Sequence, residues 1–222
     1  MCGRFTLGTD ATRIARSFGL AEAPALRPAY NIAPNQPIAA IRLEDGQRHC
    51  RVLRWGLVPA WSKGPDSRFS MINARAETVA NKPAYRGPLR HRRCLVPADG
   101  FYEWQARDGA KQPWYIYLKD RRPFAMAGLW DRWEGPEGEI IESCTLLTTD
   151  ANSLLAAVHE RMPVILAPDI WTHWLDPQVQ DVVTLTPLLA PYPAAEMACH
   201  RVSTAVNRPQ NDNPDLIEPL QD

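Results

Sequence analysis

An α+β fold, with a mainly antiparallel, barrel-like β core and peripheral helices, is what this sequence predicts. Three observations carry that expectation. Short apolar runs of strand character follow one another along the chain with few helical patterns between them. The 21 prolines are spread throughout, about twice the usual share, which favours many short elements joined by rigid turns. The 222 residues, 45% of them apolar, suffice for one sizeable core, and no repeat, low-complexity tract or linker divides them. Residues 1–222 therefore read as a single domain.

The elements follow in order. Thr9 and Asp10 can cap a helix through about Leu20, with Ile14, Phe18 and Leu20 as its apolar side. Strand-like runs come next at Ile38–Leu43, Cys50–Val58, Phe69–Ala74, Cys94–Ala98, Trp114–Leu118, Pro123–Trp130, Cys144–Thr148 and Pro163–Ala167. Asp150 or Asn152 caps a helix from Ser153 to about Glu160, and Pro168-Asp169 opens another through Leu175. A further short helix is expected within Pro177–Leu189. The last twenty residues, polar and rich in Pro and Asn, have the composition of a coil tail.

Composition narrows the function classes. Charged residues at 23% and aromatics at 9% exclude a mainly disordered chain, and five cysteines are too few for a disulfide scaffold. No stretch of about 18 uncharged apolar residues exists to span a membrane. The opening Met1-Cys2-Gly3-Arg4-Phe5 has no signal-peptide layout, and with the odd cysteine count it points to a reducing cytoplasm. The net charge of zero hides a split. Residues 1–132 hold 18 Arg and 4 Lys against 11 acids, a net +11; residues 133–222 hold 3 Arg against 14 acids, a net −11. Either the first part offers a polyanion-facing surface, or the two parts neutralise each other across one fold.

Cys2 is the first residue with chemistry to offer. Removal of Met1, which a small second residue permits, leaves an α-amine and a thiol on adjacent carbons. Their ordinary pKa values, about 7.7–8.0 and about 8.5, make both partly available as nucleophiles at neutral pH. An aldehyde meeting that pair forms an imine, and the sulfur can then close a five-membered thiazolidine. Asn73 and Arg75 stand two apart on one face of an expected strand. Glu103 lies among aromatics in Cys94-Leu-Val-Pro-Ala-Asp-Gly-Phe-Tyr-Glu-Trp104, surroundings that would raise a carboxyl pKa toward general acid–base use. His159 falls late on the expected Ser153–Glu160 helix, where a dipole partner or a catalytic group are both open readings.

Taken together the motifs resemble the SOS-response-associated peptidase (SRAP) family, the abasic-site processing proteins. The resemblance rests on Cys2-Gly3-Arg4-Phe5, Tyr30-Asn-Ile-Ala-Pro34, Arg54-Trp-Gly-Leu-Val-Pro59, Asn73-Ala-Arg-Ala-Glu77 and the Cys94–Trp104 run. It continues through Ala127-Gly-Leu-Trp130, Thr148-Thr149, His159-Glu-Arg-Met-Pro163 and Val202-Ser-Thr-Ala-Val-Asn207, covering nearly the whole chain in order. It implies an SRAP-like fold and a partner, single-stranded DNA carrying an abasic site, including single-strand/double-strand junctions. It further implies that Cys2 is the crosslinking nucleophile and that Asn73 orients it. Glu103 would relay protons, and His159 would assist sugar-ring opening beside a phosphate. By the same resemblance Arg4, Arg75 and Arg161 grip phosphates, Thr149 joins the DNA contacts, and Trp61 and Trp104 line the DNA groove. No cofactor or metal is implied, and a monomer acting in the cytoplasm, on the nucleoid when DNA-bound, is expected. A weak lyase side reaction follows from the imine, and the peptidase label reads as self-removal of Met1.

Two other classes stay open. N-terminal-nucleophile glutamine amidotransferases also open with Met-Cys-Gly, and Arg86-Gly87-Pro88 resembles part of one of their motifs, but Leu89 stands where they carry aspartate. A non-catalytic single-stranded DNA-binding module would make Cys2 incidental. Zinc is disfavoured, since His91 with Cys94 and Cys199 with His200 are isolated pairs.

Overall fold

The computed structural model describes residues 2–65, 71–107 and 109–221. In chain order its strands and helices begin with β1 (Phe5–Leu7), α1 (Ala11–Phe18), β2 (Ala29–Ile32), β3 (Pro37–Glu44), β4 (Gln47–Trp55) and β5 (Asn73–Arg75). Then come α2 (Pro83–His91), β6 (Arg93–Ala98), β7 (Gly100–Arg107), β8 (Ala110–Leu118), β9 (Phe124–Glu134) and β10 (Ile140–Asp150). The chain closes with β11 (Arg161–Pro163), β12 (Ile165–Leu166), α3 (Trp171–Leu175), α4 (Val182–Leu185) and β13 (Met197–Arg201).

Five strands close into a barrel. β3 pairs with β4 across Asp45-Gly46, whose positive φ angles of 49° and 77° suit a two-residue hairpin turn. β3 also meets β6, β6 pairs with β9, β9 forms a hairpin with β10, and β10 returns parallel to β4 through Ser143↔Arg54. Closure leaves these strands no free edge. β5 and β11 extend the barrel on β10, and β12 extends it on β9. A second, antiparallel sheet runs β13-β8-β7-β1-β2. One apolar core unites barrel and sheet, with Trp55, Ile41, Leu95 and Leu146 from the barrel and Phe5 and Phe101 from the second sheet. Phe5 meets Trp55 edge to face at 5.2 Å. Gly100 lets β7 pass Tyr115, because a Cβ there would lie 2.4 Å from that ring.

The expected α+β barrel-like architecture is therefore present. α1 is capped as expected by Asp10, which accepts from Arg13 N at 3.0 Å, and Gly19 ends it at φ 64°. Its buried Phe18 stacks on Trp171 with ring centroids 4.6 Å apart. The expected Phe69–Ala74 strand appears as Asn73–Arg75, its first two residues lying outside the described ones. The Pro163–Ala167 run divides into β11 and β12.

Two expectations need correction. Residues 153–158 form successive turns rather than a helix: Asn152 Oδ1 accepts from both Leu154 N and Leu155 N, and Asn152 Nδ2 is drawn off to the Tyr192 carbonyl. The C-terminal residues are no loose coil. They form 3₁₀ turns at Thr204–Asn207 and Pro214–Ile217, and Val206 and Leu216 bury themselves against Tyr102 and Tyr115. That apolar anchor outweighs the polar composition around it.

Candidate active site

The site forms where β1 and β7 of the second sheet meet the β5–β10–β11 end of the barrel. β1 lies antiparallel to β7, Phe5 opposite Phe101, and Tyr102 N donates to the Arg4 carbonyl at 2.9 Å. That pairing carries residues 2–4 along Glu103. Alternation along β7 decides the burial of Glu103: with Phe101 it faces the main core, while Tyr102 and Trp104 face the C-terminal segment. Glu103 is 2% exposed. β5, parallel to β10, brings Asn73 from the other side, and Asn73 Nδ2 donates to the Cys2 carbonyl at 2.7 Å. Asn73 Oδ1 is buried, and among the described residues no donor reaches it.

His159 reaches Glu103 from the turn before β11, Nε2 to Oε2 3.9 Å. Its Nδ1 lies 2.9 Å from Arg161 N and 3.2 Å from the Arg161 carbonyl; in the tautomer that accepts from Arg161 N, the proton sits on Nε2, the nitrogen facing Glu103. Burial is the main reason the His159 pKa lies below the usual imidazole value, with the positive chain terminus adding to it. Burial also raises Glu103 to about 7, against the opposing pull of the chain terminus. The Cys2 thiol, fully buried and near Glu103, is pushed far above the ordinary thiol range. It is held as a thiol and needs a base to react.

An open cleft of about 400 Å³ lies over these groups, lined by Arg4, Glu103, Trp104, Lys111, His159 and Asn207. Arg4 lies over the Trp104 ring at 5.7 Å, and Trp104 Nε1 donates to Asn207 Oδ1 at 2.7 Å. The arrangement offers a buried cysteine, a carboxyl and an imidazole 3.9 Å apart, and a cationic, aromatic wall. Among the described residues no three His, Cys, Asp or Glu side chains gather as a metal site.

The model of the family described as SOS response associated peptidase (SRAP) matches residues 1–209. This chain belongs to the SRAP family. It is 43% identical over 222 residues to the abasic site processing protein YoqW of Bacillus subtilis (strain 168), covering 98% of this chain and 99% of that protein. Abasic site processing protein HMCES of Gallus gallus is 36% identical, over 100% of this chain and 78% of its own length. A crystal structure of a protein from Bacteroides thetaiotaomicron superposes with a TM-score of 0.88 at 28% identity, over 99% of this chain and 100% of that one. A Bordetella bronchiseptica protein gives 0.79 at 28%, over 91% and 100%.

Of the residues expected from SRAP motifs, Cys2, Asn73, Glu103 and His159 converge, although they are spread over most of the chain. Arg4 and Trp104 line their cleft, and Arg75 is exposed on the neighbouring β5. Trp61 stands apart, 68% exposed on a separate groove with Arg86 and Arg92. Thr149 is buried in β10 at 6% exposure. Arg161 is engaged internally: it donates to Glu77, Asp150 and the Thr148 carbonyl, and its side chain is 8% exposed. That ties β5, β10 and β11 together beneath the site. Lys111 and Asn207 were not singled out from the sequence. Asn207 ended a recognisable motif, whereas Lys111 reaches the cleft only through its pairing opposite Ala106 in the β7–β8 hairpin.

Proposed function

We propose that this protein processes abasic sites in single-stranded DNA, capturing them covalently on Cys2 after loss of Met1. The observation that carries the reading is the convergence of Cys2 and its Asn73 clamp with Glu103 and His159, the last two lining an open cleft. Family membership and the names of the relatives support it.

The chemistry follows from the groups present. An abasic deoxyribose is mostly a closed hemiacetal, and opening it needs a proton moved between two oxygens, a task suited to a carboxyl at about 7 beside an imidazole. The Cys2 amine adds to the C1′ aldehyde. Protonated Glu103 gives its proton to the departing hydroxyl, and water leaves with formation of the imine. The imine nitrogen keeps the amine's remaining proton, the carboxylate so produced takes the thiol proton, and sulfur adds to the imine carbon, leaving a neutral secondary amine. The product is a thiazolidine, formed with net loss of one water. Left unclosed, the imine would permit β-elimination and strand breakage. Asn73 fixes the Cys2 main chain so that amine and sulfur address the same carbon. Binding rests on Arg4 and Arg75 at phosphates and Trp104 at a base face, so it depends on salt and not on sequence. A cytoplasmic chain meeting the nucleoid suits this role.

The test mixes the protein with a single-stranded oligonucleotide whose one uracil has been excised, followed by a denaturing gel. A covalent shift is expected with wild type, lost in Cys2→Ala and lost when Met1 is retained. A shift that survives Cys2→Ala would overturn the mechanism. A non-catalytic binder would retard the DNA only on native gels, and an amidotransferase would leave it unshifted on both.

A further inference from the structure

The cleft's basic wall depends on a residue outside it. Asn31, on β2 and 2% exposed, accepts from Arg4 Nη1 at 2.6 Å. Its own amide nitrogen donates to three carbonyls of the C-terminal segment: Val206 at 3.2 Å, Arg208 at 3.0 Å and Asn211 at 2.7 Å. Arg4 Nη1 donates to the same Val206 carbonyl at 2.7 Å. One residue further, Asn207 holds the Trp104 indole. The segment is knitted internally by Asn211 Nδ2 to the Ala205 carbonyl at 2.8 Å, and fastened to β2 by Tyr30 N to Asp212 Oδ1 at 2.5 Å.

The choice of amide over carboxylate matters here. Arg4 has no carboxylate partner among the described residues, and its Nε is buried without an acceptor. Asn31 fixes the guanidinium through a neutral oxygen, so the full positive charge stays available to an anion. A carboxylate at this position would hold Arg4 as well but cancel its charge, and it would bring no N–H for the three carbonyls.

We infer that Asn31 is the positioning residue of the cleft: it aims Arg4 and anchors the 206–211 wall, whose Asn207 holds the Trp104 indole of β7, while leaving the arginine's charge uncancelled. This rests on the DNA-binding reading above.

The test uses the full chain and a single-stranded oligonucleotide bearing a tetrahydrofuran abasic analogue, which has no aldehyde and reports noncovalent binding alone. Dissociation constants are measured across a salt series for wild type, Asn31→Asp, Asn31→Ala, Arg4→Ala and the Asn31→Asp/Arg4→Ala pair. Asn31→Asp and Arg4→Ala should each lower the salt slope by about one, and the pair should bind no more weakly than Arg4→Ala. Asn31→Ala should keep the slope but weaken binding about tenfold, with amides of residues 205–211 exchanging about tenfold faster than in wild type. A wild-type slope in Asn31→Asp, or additive losses in the pair, would overturn the inference, because a merely structural asparagine would produce them. If Asn31→Ala does not fold, the near-isosteric Asn31→Asp carries the test. If wild type binds no oligonucleotide, the DNA reading fails, and unchanged amide exchange in Asn31→Asp then overturns the positioning role as well.

Discussion

Two buried carboxylates, Glu103 and Asp131, stand at two hollows of similar size, and only one of them is equipped for chemistry. Asp131, 3% exposed, borders the groove of about 430 Å³ beside Trp61. It accepts from Ala60 N and Arg132 N at 2.9 Å each and lies 3.1 Å from Arg92 Nε. Its charge is compensated, and its task is to pin the loop that presents Trp61. Glu103, 2% exposed, faces the apolar core and an imidazole, and burial lifts it to about 7. Burial alone therefore does not make a carboxyl an acid–base group. What its neighbours do for the charged form decides.

That contrast can be broken in several ways, beginning with the largest effect. Cys2→Ala should abolish the crosslink altogether on a denaturing gel, while Trp61→Ala should leave crosslinking at saturating DNA intact. Glu103→Gln should slow crosslinking about 100-fold and erase an inflection near pH 7 in the rate profile of wild type. Asp131→Asn should keep that inflection and cost only stability, about 1–3 kcal/mol by denaturant unfolding.

Stability against pH sharpens the same comparison. The Glu103 carboxyl titrates at about 7 when folded against 4.5 as its reference value, so the folded state holds the proton more tightly. Its contribution is fully present below the unfolded pKa and is lost as pH rises through about 7. The loss by pH 8 is about 3 kcal/mol. Thermal melts of Glu103→Gln should thus exceed wild type at pH 8 and match it at pH 4. A constant difference across that range would refute the raised pKa.

The smallest expected effects concern the noncovalent contacts. Arg75→Ala should weaken oligonucleotide binding about tenfold and reduce the salt slope by about one, as loss of one phosphate contact does. Trp61→Ala should cost at most about 1 kcal/mol of binding, the low end for loss of a stacking face, because its groove stands apart from the cleft, with an unchanged melting temperature because the side chain is 68% exposed. No change in affinity would remove the Trp61 groove from the DNA path.

How far the sequence foretells this molecule depends on the range of the interactions. The barrel strands are legible because their apolar, β-branched runs are local signals. α2 is not, since Gly87 and Pro88 lie inside it and Lys82 gives no side-chain cap. The Ser153–Glu160 helix is expected from Asp150 or Asn152 as a cap, but an Asn that caps can equally close a turn when its amide is engaged elsewhere. Cys2, Asn73, Glu103 and His159 were recognised through motifs, and only strand pairing explains why they meet. The charge split is legible, but part of it is spent on ion pairs within the chain, where the half-buried Arg42–Glu142 and the exposed Arg122–Glu196 join the basic part to the acidic one. Asn31 stands in the Tyr30–Pro34 motif, but its role is not legible there, because its carbonyl partners lie more than 170 positions away.

The most direct measurement of the central claim is the intact mass of the product formed with a uracil-excised oligonucleotide. The account predicts the mass of the protein without Met1 plus the oligonucleotide minus one water, with the modification mapping to Cys2. An adduct that retains Met1, or one mapping to a lysine such as Lys111, would contradict it.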